Sequence, residues 1–392
     1  MKQLSRKLSE MPASATIAVS DKASALKRAG RDVISLAGGD PDFDTPDHIV
    51  AAALAAIENG ATHYPAPTKG VLPLVEAIAD KMERENGVGG INPTTDVIVT
   101  PGGKWALNLA LGAVVNPGDE VLYLEPAWVS YPPMISLSGA TPVPVSLPSE
   151  DNFLITEERL EASVSPRTKA ILFNTPNNPS GRVMTREEAE ALAAVAQRHD
   201  LYLIADELYE KIIYDGRSHI SLASLPGMAE RTLTINGLSK SHAMTGWRLG
   251  WLAGPTPAMK LAAKMNGQTV TSAANFTMHA AVAALTGPQD EVEAMRASYQ
   301  ARRDFMVPAL NQIPGIECRS IEGAFYLFPR FTQTEKDSVA LAEALLEQAD
   351  LAATPGIAFG QSGEGHLRFT IATAFSELER AVERLAKVVP GL

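Results

Sequence analysis

Five short apolar runs, separated by helix patterns and turns, constrain the fold of this chain more than any other feature. They occupy residues 96–100, 120–126, 169–176, 201–209 and 231–237. Short β-branched or apolar strands that alternate with helices are typical of an α/β protein with a mostly parallel sheet. The sequence therefore predicts such a sheet in the middle of the chain.

The length of 392 residues predicts two domains. The strand–helix alternation occupies residues 45–285, which we expect to form a large domain. Residues 286–392 combine long helix patterns with short strand candidates. Together with residues 1–44, they are expected to form a smaller α+β domain.

Composition excludes several classes of partner. The net charge of −11 argues against nucleic acid and anionic membranes. No apolar run is long enough for a membrane span, and the first residues lack a secretory signal. The single cysteine, Cys318, allows no intrachain disulfide. These features predict a cytoplasmic protein that acts on small molecules, and no motif predicts a metal site.

Distinctive polar, aromatic or glycine residues follow each of the five runs. In open α/β sheets, ligands bind outside the carboxyl ends of the strands. We therefore expect one site that draws on all five runs. Its candidate members are Gly102, Trp128, Asn178, Asp206 and Lys240.

Lys240 is the only charged residue between Thr232 and Trp247, in the stretch "GLSKSHAMTGWRLG". A lysine among uncharged neighbours tends to have a lowered pKa, which suits covalent chemistry. Nearby, Ser239 and Arg248 offer a hydroxyl and a guanidinium for a phosphate. The alternative is a structural lysine that reaches water from a helix.

Four further features are ambiguous when taken alone. Gly102 and Gly103, at the start of a helix pattern, suit an anion or an ordinary turn. Asp206 ends an apolar run, so its carboxylate needs either a cationic partner or a helix N-terminus to cap. Arg368 lies in an apolar strand candidate and either reads a carboxylate or occupies a sheet edge. Trp128 is either a stacking platform or a core residue.

Together these motifs resemble those of the class I/II, fold-type I aminotransferases, which use pyridoxal 5′-phosphate (PLP). The resemblance covers nearly the whole chain and includes "PGGKWALN", "NTPNNPSG", "ADELYE" and "NGLSKSHAMTGWRLGW". It is closest to the bacterial aspartate/prephenate aminotransferase branch, which carries an N-terminal "SAT" like Ser14, Ala15 and Thr16. The resemblance implies the fold-type I architecture.

The resemblance also implies a role for each motif residue. Lys240 would hold the cofactor covalently and move the substrate proton, with Asp206 paired to the pyridine nitrogen. Tyr209 and Asn178 would bind the phenolic oxygen of the cofactor, and Trp128 would stack on its ring. Its phosphate would be held by Gly102, Gly103, Lys104, Ser239 and Arg248, and by Tyr64 of the neighbouring subunit of a homodimer. The amino acid and 2-oxo acid substrates would be bound by Gly39, Lys104, Trp128, Asn178 and Arg368.

The substrate side chain is harder to infer. Residues 271–276 contain no arginine, although animal-type aspartate aminotransferases bind the side-chain carboxylate there with one. Lys104 and the segment from Ser14 to Thr16 match the bacterial branch, so aspartate or glutamate is the expected donor. Departures at Lys69, at Trp105 and before the "SAT" segment, at Met11 or Pro12, leave an aromatic, prephenate or other amino donor as the alternative. A PLP lyase or oxidase of the same fold is a further alternative.

Overall fold

The computed structural model describes residues 4–11 and 13–392, so Pro12 lies outside the described residues. The helices are α1 (Arg6–Ser9), α2 (Ala15–Arg28), α3 (Asp47–Glu58), α4 (Leu72–Asn86), α5 (Gly103–Val114), α6 (Tyr131–Ser138), α7 (Glu157–Glu161), α8 (Arg186–Arg198), α9 (Thr256–Thr269), α10 (Asn275–Thr286), α11 (Asp290–Asn311), α12 (Ser338–Gln348) and α13 (Phe375–Val388). The strands are β1 (Ile34–Ser35), β2 (Val97–Thr100), β3 (Glu120–Glu125), β4 (Thr141–Ser146), β5 (Thr168–Asn174), β6 (Tyr202–Asp206), β7 (Thr232–Gly237), β8 (Gly250–Ala253), β9 (Ile316–Glu317), β10 (Tyr326–Leu327), β11 (Arg330–Phe331), β12 (Leu351–Ala352), β13 (Thr354–Pro355) and β14 (Leu367–Thr370).

The central sheet has seven strands in the order β2-β8-β7-β6-β5-β3-β4. Strand β8 is antiparallel to both of its neighbours, and the other strands run in one direction. The predicted α/β fold with a mostly parallel sheet is therefore confirmed. All five predicted runs contain a strand of this sheet, and their carboxyl ends lie on one side of it.

Both faces of the sheet are covered, which explains why its strands read as continuous apolar runs. Successive side chains of a strand point to opposite faces. On β5, Ile171 packs in a core cluster with residues of α8, whereas Leu172 packs in a cluster with residues of α5, α6 and α9. Apolar residues are therefore favoured on both faces, and residues 170–173 in the middle of β5 form a continuous apolar run.

Two strands of the sheet were not predicted. Strand β4 contains Pro142 and Pro144, and proline cannot donate a ladder hydrogen bond, so β4 lies at the sheet edge. Strand β8 is a four-residue run directly after the Lys240–Arg248 stretch. It pairs with β7 so that Gly237 lies opposite Gly250, which makes the stretch a hairpin connection.

The remaining strands are short and form separate small sheets. Strand β14 is the middle strand of the antiparallel sheet β10-β14-β13, and β1 pairs with β12. Arg368 lies on β14, so its interpretation as an edge residue is wrong. Within the C-terminal part, the apolar segment at residues 323–329 contributes only the two-residue strand β10. The proposed domain boundaries near residues 45 and 285 stay predictions. Within the described ranges, no helix is both long and apolar enough to span a membrane.

Candidate active site

A cavity of about 290 Å³ opens at the carboxyl ends of β3, β5, β6 and β7. It lies where the strand-end argument places a ligand. The sequence-predicted residues that line it are Gly39, Trp128, Asn178, Asp206, Tyr209, Lys240 and Arg368. The structure therefore brings together residues from distant parts of the chain around one space.

Lys240 lies in the turn after β7, not on a helix, and its side chain lines the cavity. The Nζ atom donates a hydrogen bond to the Gly39 carbonyl at 2.6 Å. Burial lowers the pKa of this amine to about 8, and the positive charges of Arg368 and Arg248 act in the same direction against the opposing effect of Asp40. The alternative interpretation, a structural lysine that reaches water from a helix, is therefore wrong. With this pKa, roughly a tenth of the amine is neutral at pH 7, and this neutral fraction is the nucleophile.

Asp206 is the last residue of β6 and is largely buried. Tyr131 Oη donates to its Oδ2 at 2.8 Å, and the Leu208 amide donates to its Oδ1 at 3.3 Å. Burial raises the pKa of Asp206 to about 6, while these hydrogen bonds oppose the rise. A turn rather than a helix follows, so a helix cap does not explain this carboxylate.

Arg368 is buried and held in one orientation. Its Nη1 donates to Asn178 Oδ1 at 3.1 Å, and its Nη2 donates to the Ala37 carbonyl at 2.7 Å. Its guanidinium carbon lies 4.3 Å from the centroid of the Tyr326 ring. Its buried Nε has no hydrogen-bond partner within the part of the chain that the structure describes. A fixed guanidinium with donors to spare suits an incoming carboxylate.

A second group of predicted residues lies at the start of α5. Gly102 has φ +88°, and a methyl group on its α-carbon would lie 2.7 Å from Arg248 Nη2. Burial lowers the pKa of Lys104, and Arg248 lowers it further. Ser239 is buried beside Lys240 in the sequence. Two cations near free amides at a helix N-terminus suit an anion.

Trp128 and Lys240 connect this second group to the cavity. The Lys104 Nζ atom lies 4.8 Å from the centroid of the Trp128 ring, which lines the cavity. Arg248 affects the charge of the Lys240 amine, as described above. The anion-binding group and the cavity therefore form one extended site.

Four residues named in the sequence analysis do not line the cavity in this single chain. Tyr64 is 80% exposed and does not line the cavity. The Lys69 amine donates to the Thr94 carbonyl. Trp105 donates to Asn266 Oδ1 at 2.9 Å, which ties it to α9. Ser14 bonds Thr16 at 3.1 Å, and Thr16 lines the cavity.

The structure adds residues that sequence reasoning missed. The main ones are Tyr131, Tyr326, Asn174 and Ser20, all of which line the cavity. Tyr326 Oη lies 3.1 Å from Tyr209 Oη, so the two phenols share a hydrogen bond. Tyr131 follows Trp128 closely in "AWVSYP", and a phenol just after a strand was the available signal.

A second polar cluster, Glu207, Glu210 and His219, lies next to Asp206 in the chain. Its ligand-type atoms lie within 4.8 Å of one another. The amine of Lys81 contacts Glu210, and Asn86 Nδ2 donates to Glu210 Oε2 at 2.7 Å. Since the protein supplies its own cation here, the cluster is explained as a buried ion-pair network.

Comparison with known proteins gives the family. The family model for aminotransferases of class I and II matches residues 31–385. The aspartate/prephenate aminotransferase of Cereibacter sphaeroides is 42% identical, over 99% of each chain. The aspartate aminotransferase of Geobacillus stearothermophilus is 40% identical, over 98% of each chain. The solved structure of the Thermus thermophilus aspartate aminotransferase with maleate is 42% identical, with a TM-score of 0.94, and covers 99% of this chain and 100% of its own.

The chain therefore belongs to the class I and II aminotransferases. It is an enzyme that transfers an amino group between an amino acid and a 2-oxo acid. This family uses pyridoxal phosphate. The relatives named above are all aminotransferases, so the lyase or oxidase alternative is not favoured.

Proposed function

We propose that this enzyme is an aspartate aminotransferase whose PLP is bound in the extended site by the residues named above. Three observations support the fit of the cofactor. The Asp206 carboxylate is buried and forms no ion pair with another described residue. Lys240 is a desolvated amine in the same cavity. At the start of α5, Gly102 leaves no room for a side chain beside Arg248.

The cofactor would be held at several points. Lys240 Nζ would bind its aldehyde, and Asp206 would pair with its pyridine nitrogen. Trp128 would pack on the ring, with Tyr209 and Asn178 at the phenolic oxygen. The phosphate would be held by the backbone at Gly102, Gly103 and Lys104, and by the side chains of Ser239 and Arg248. When bound, PLP supplies an electron-withdrawing ring that stabilises negative charge on the α-carbon of the amino acid.

The protein's own residues bind the substrate and move its proton. Arg368 binds the α-carboxylate, because its guanidinium is fixed by Asn178 and Ala37 and keeps free donors. The Gly39 backbone lies beside the Lys240 amine and lines the same space. Lys240 Nζ, when neutral, accepts the proton from the substrate α-carbon and gives it up to a different atom in the site, as net amino-group transfer requires. The two half-reactions share one site, which gives a ping-pong scheme.

The position of Lys104 is the observation that carries the preference for a dicarboxylic amino acid. Its amine lies over the cavity-lining Trp128, and it has no carboxylate partner among the described ion pairs. The amine of Lys69, which departs from the pattern of the bacterial branch, is instead bonded to the Thr94 carbonyl. Thr16 adds a hydroxyl on the cavity wall. We therefore infer that Lys104 and Thr16 bind the side-chain carboxylate of the substrate.

A screen of half-reactions tests this substrate. The PLP-loaded enzyme is mixed with single amino acids, and the change in cofactor absorbance is followed. We expect aspartate to react with a higher second-order rate constant than phenylalanine or alanine. Lys104→Gln should lower the rate constant for aspartate by about tenfold or more, because one charge-assisted contact is lost. The rate constant for phenylalanine should change far less.

Lys69→Gln is the matched control and should leave the ratio of aspartate to phenylalanine rates unchanged. An equal loss for both amino acids in Lys104→Gln would assign Lys104 to the cofactor alone. No reaction with aspartate in the unmodified enzyme would remove the proposed substrate but leave the family assignment intact.

The exposed Tyr64 supports a homodimer in which it completes the phosphate site of the partner subunit. Its side chain is 80% exposed in the single chain, although a tyrosine ring gains from burial. We expect sedimentation to give twice the mass of the chain. Tyr64→Phe should weaken PLP binding by about tenfold, as expected for one lost hydrogen bond to a charged group. A monomeric protein would contradict the homodimer, and unchanged PLP affinity in Tyr64→Phe would contradict the role of Tyr64 at the phosphate.

A further inference from the structure

Tyr131 is a buried phenol in the cavity wall that the proposed reaction does not yet use. It is 2% exposed and lies at the first position of α6. Its amide donates to the Trp128 carbonyl at 3.0 Å, and the two rings meet edge to face with centroids 5.6 Å apart. The loop after β3 therefore fixes the position of both side chains together.

The hydroxyl of Tyr131 makes the shorter of the two hydrogen bonds to the Asp206 carboxylate. Its distance to Oδ2 is 2.8 Å, compared with 3.3 Å from the Leu208 amide to Oδ1. Burial holds the pKa of the Tyr131 phenol well above 10.0, so the hydroxyl stays protonated and donates. An ionised carboxylate accepts about four hydrogen bonds. Capacity therefore remains on Asp206 for a cation in the cavity.

Asp206 needs such support because its surroundings disfavour a negative charge. Burial is the largest effect, and the neighbouring Glu207 carboxylate acts in the same direction. Lys240 is the cation that faces it, and Tyr209 is the other titratable group nearby. Lys240 is itself desolvated, and its amine donates its hydrogen bond to the Gly39 carbonyl rather than to Asp206. The hydroxyl of Tyr131 is thus the main fixed dipole that favours the charged carboxylate.

We propose that Tyr131 is a positioning residue that keeps the Asp206 carboxylate ionised and oriented for a cationic ring nitrogen. Its role toward the ring rests on the proposed function, whereas its effect on Asp206 does not. Tyr131 touches neither the substrate proton nor the bond that breaks. Tyr131 acts through Asp206. Because its ring also contacts Trp128 edge to face, the orientation of the Asp206 carboxylate depends on the position of Trp128.

Infrared titration of the full-length, cofactor-free protein tests the proposal directly. The carbonyl stretch of protonated Asp206 is assigned as the band that disappears in Asp206→Asn. In the unmodified protein its midpoint should lie near pH 6. Tyr131→Phe removes only the hydroxyl and should raise the midpoint by about one pH unit or more, because a hydrogen bond to the charged form is lost.

Tyr123→Phe is the matched control. Tyr123 lies on β3, is also buried, and donates to a different carboxylate, Glu125 Oε1, at 2.9 Å. This variant should leave the midpoint of Asp206 unchanged. Replacement of Tyr131 by 3-fluorotyrosine, a stronger donor of nearly the same shape, should lower the midpoint. This second substitution keeps the proposal testable if Tyr131→Phe folds poorly.

An unchanged Asp206 midpoint in Tyr131→Phe, or a shift of the same size in Tyr123→Phe, would overturn the proposal. A supporting second measurement is PLP affinity at pH 7, which Tyr131→Phe should lower by about tenfold and Tyr123→Phe should not. If the Asp206 midpoint shifts but PLP does not bind to the unmodified protein, the proposed function fails while the role of Tyr131 stands.

Discussion

Lys240→Ala should lower the turnover number by about a thousandfold or more and remove the visible absorption band that PLP gives when a lysine holds it. Among the described residues, Lys240 is the only lysine that lines the cavity, and burial holds the pKa of its amine at about 8. Alanine removes both the covalent anchor and the base at the substrate α-carbon. Steady-state kinetics with aspartate, and absorbance spectra of the purified protein, measure the two losses.

The matched control is Lys387→Ala, which removes an exposed lysine from the last turn of α13. It should retain the turnover number and the absorption band. PLP should still bind to Lys240→Ala, although more weakly, because the residues that hold its phosphate are unchanged. A Lys240→Ala variant with full turnover would refute the role of this lysine and with it the mechanism proposed above.

Arg368→Lys should lower kcat/KM by about a hundredfold for every amino donor. Lysine keeps the charge but lacks the planar fork that bonds Asn178 and the Ala37 carbonyl while it presents donors to a carboxylate. Breaking a buried, hydrogen-bonded charge contact costs about 2–5 kcal/mol, which corresponds to this range of rates. The α-carboxylate is common to all amino acids, so the loss should not depend on the side chain.

The measurement is kcat/KM for aspartate, phenylalanine and alanine, with the PLP absorption band as a check that the cofactor is retained. Arg330→Lys changes an arginine that is 46% exposed and should have little effect. The comparison with Lys104→Gln is informative, since only the Lys104 variant should discriminate between donors. A loss confined to aspartate in Arg368→Lys would instead place its contact at the substrate side chain.

The strand-end residues were predictable because their chemistry is local to each motif. The sheet direction follows from alternation with helices, and it brings Asn178, Asp206 and Lys240 to one edge without further information. Strand β4 was missed because its two prolines read as a loop. Strand β8 was missed because four residues after a turn carry little pattern of their own.

Contacts between distant residues were not predictable from the sequence. Tyr131 and Asp206 are 75 positions apart, and Arg368 and Asn178 are 190 apart. Each motif offers a polar group, but the choice of partner depends on how loops fold over the sheet edge. The same holds for Lys69, whose amine turns to the Thr94 carbonyl. The proposed role of Tyr64 depends on a second chain, and the sequence of one chain does not show how two chains pack.

The hairpin from β7 to β8 has a consequence for how the two halves of the site keep their spacing. Gly237 and Gly250 face each other at its base, so the loop between them has a fixed length. A methyl group on the α-carbon of Gly250 would lie 2.8 Å from the Gly103 amide nitrogen, which shows how closely α5 approaches this base. Lys240 and Arg248 both lie on that loop. Close main-chain packing of these glycines therefore sets the spacing between the proposed covalent anchor and the proposed anion site.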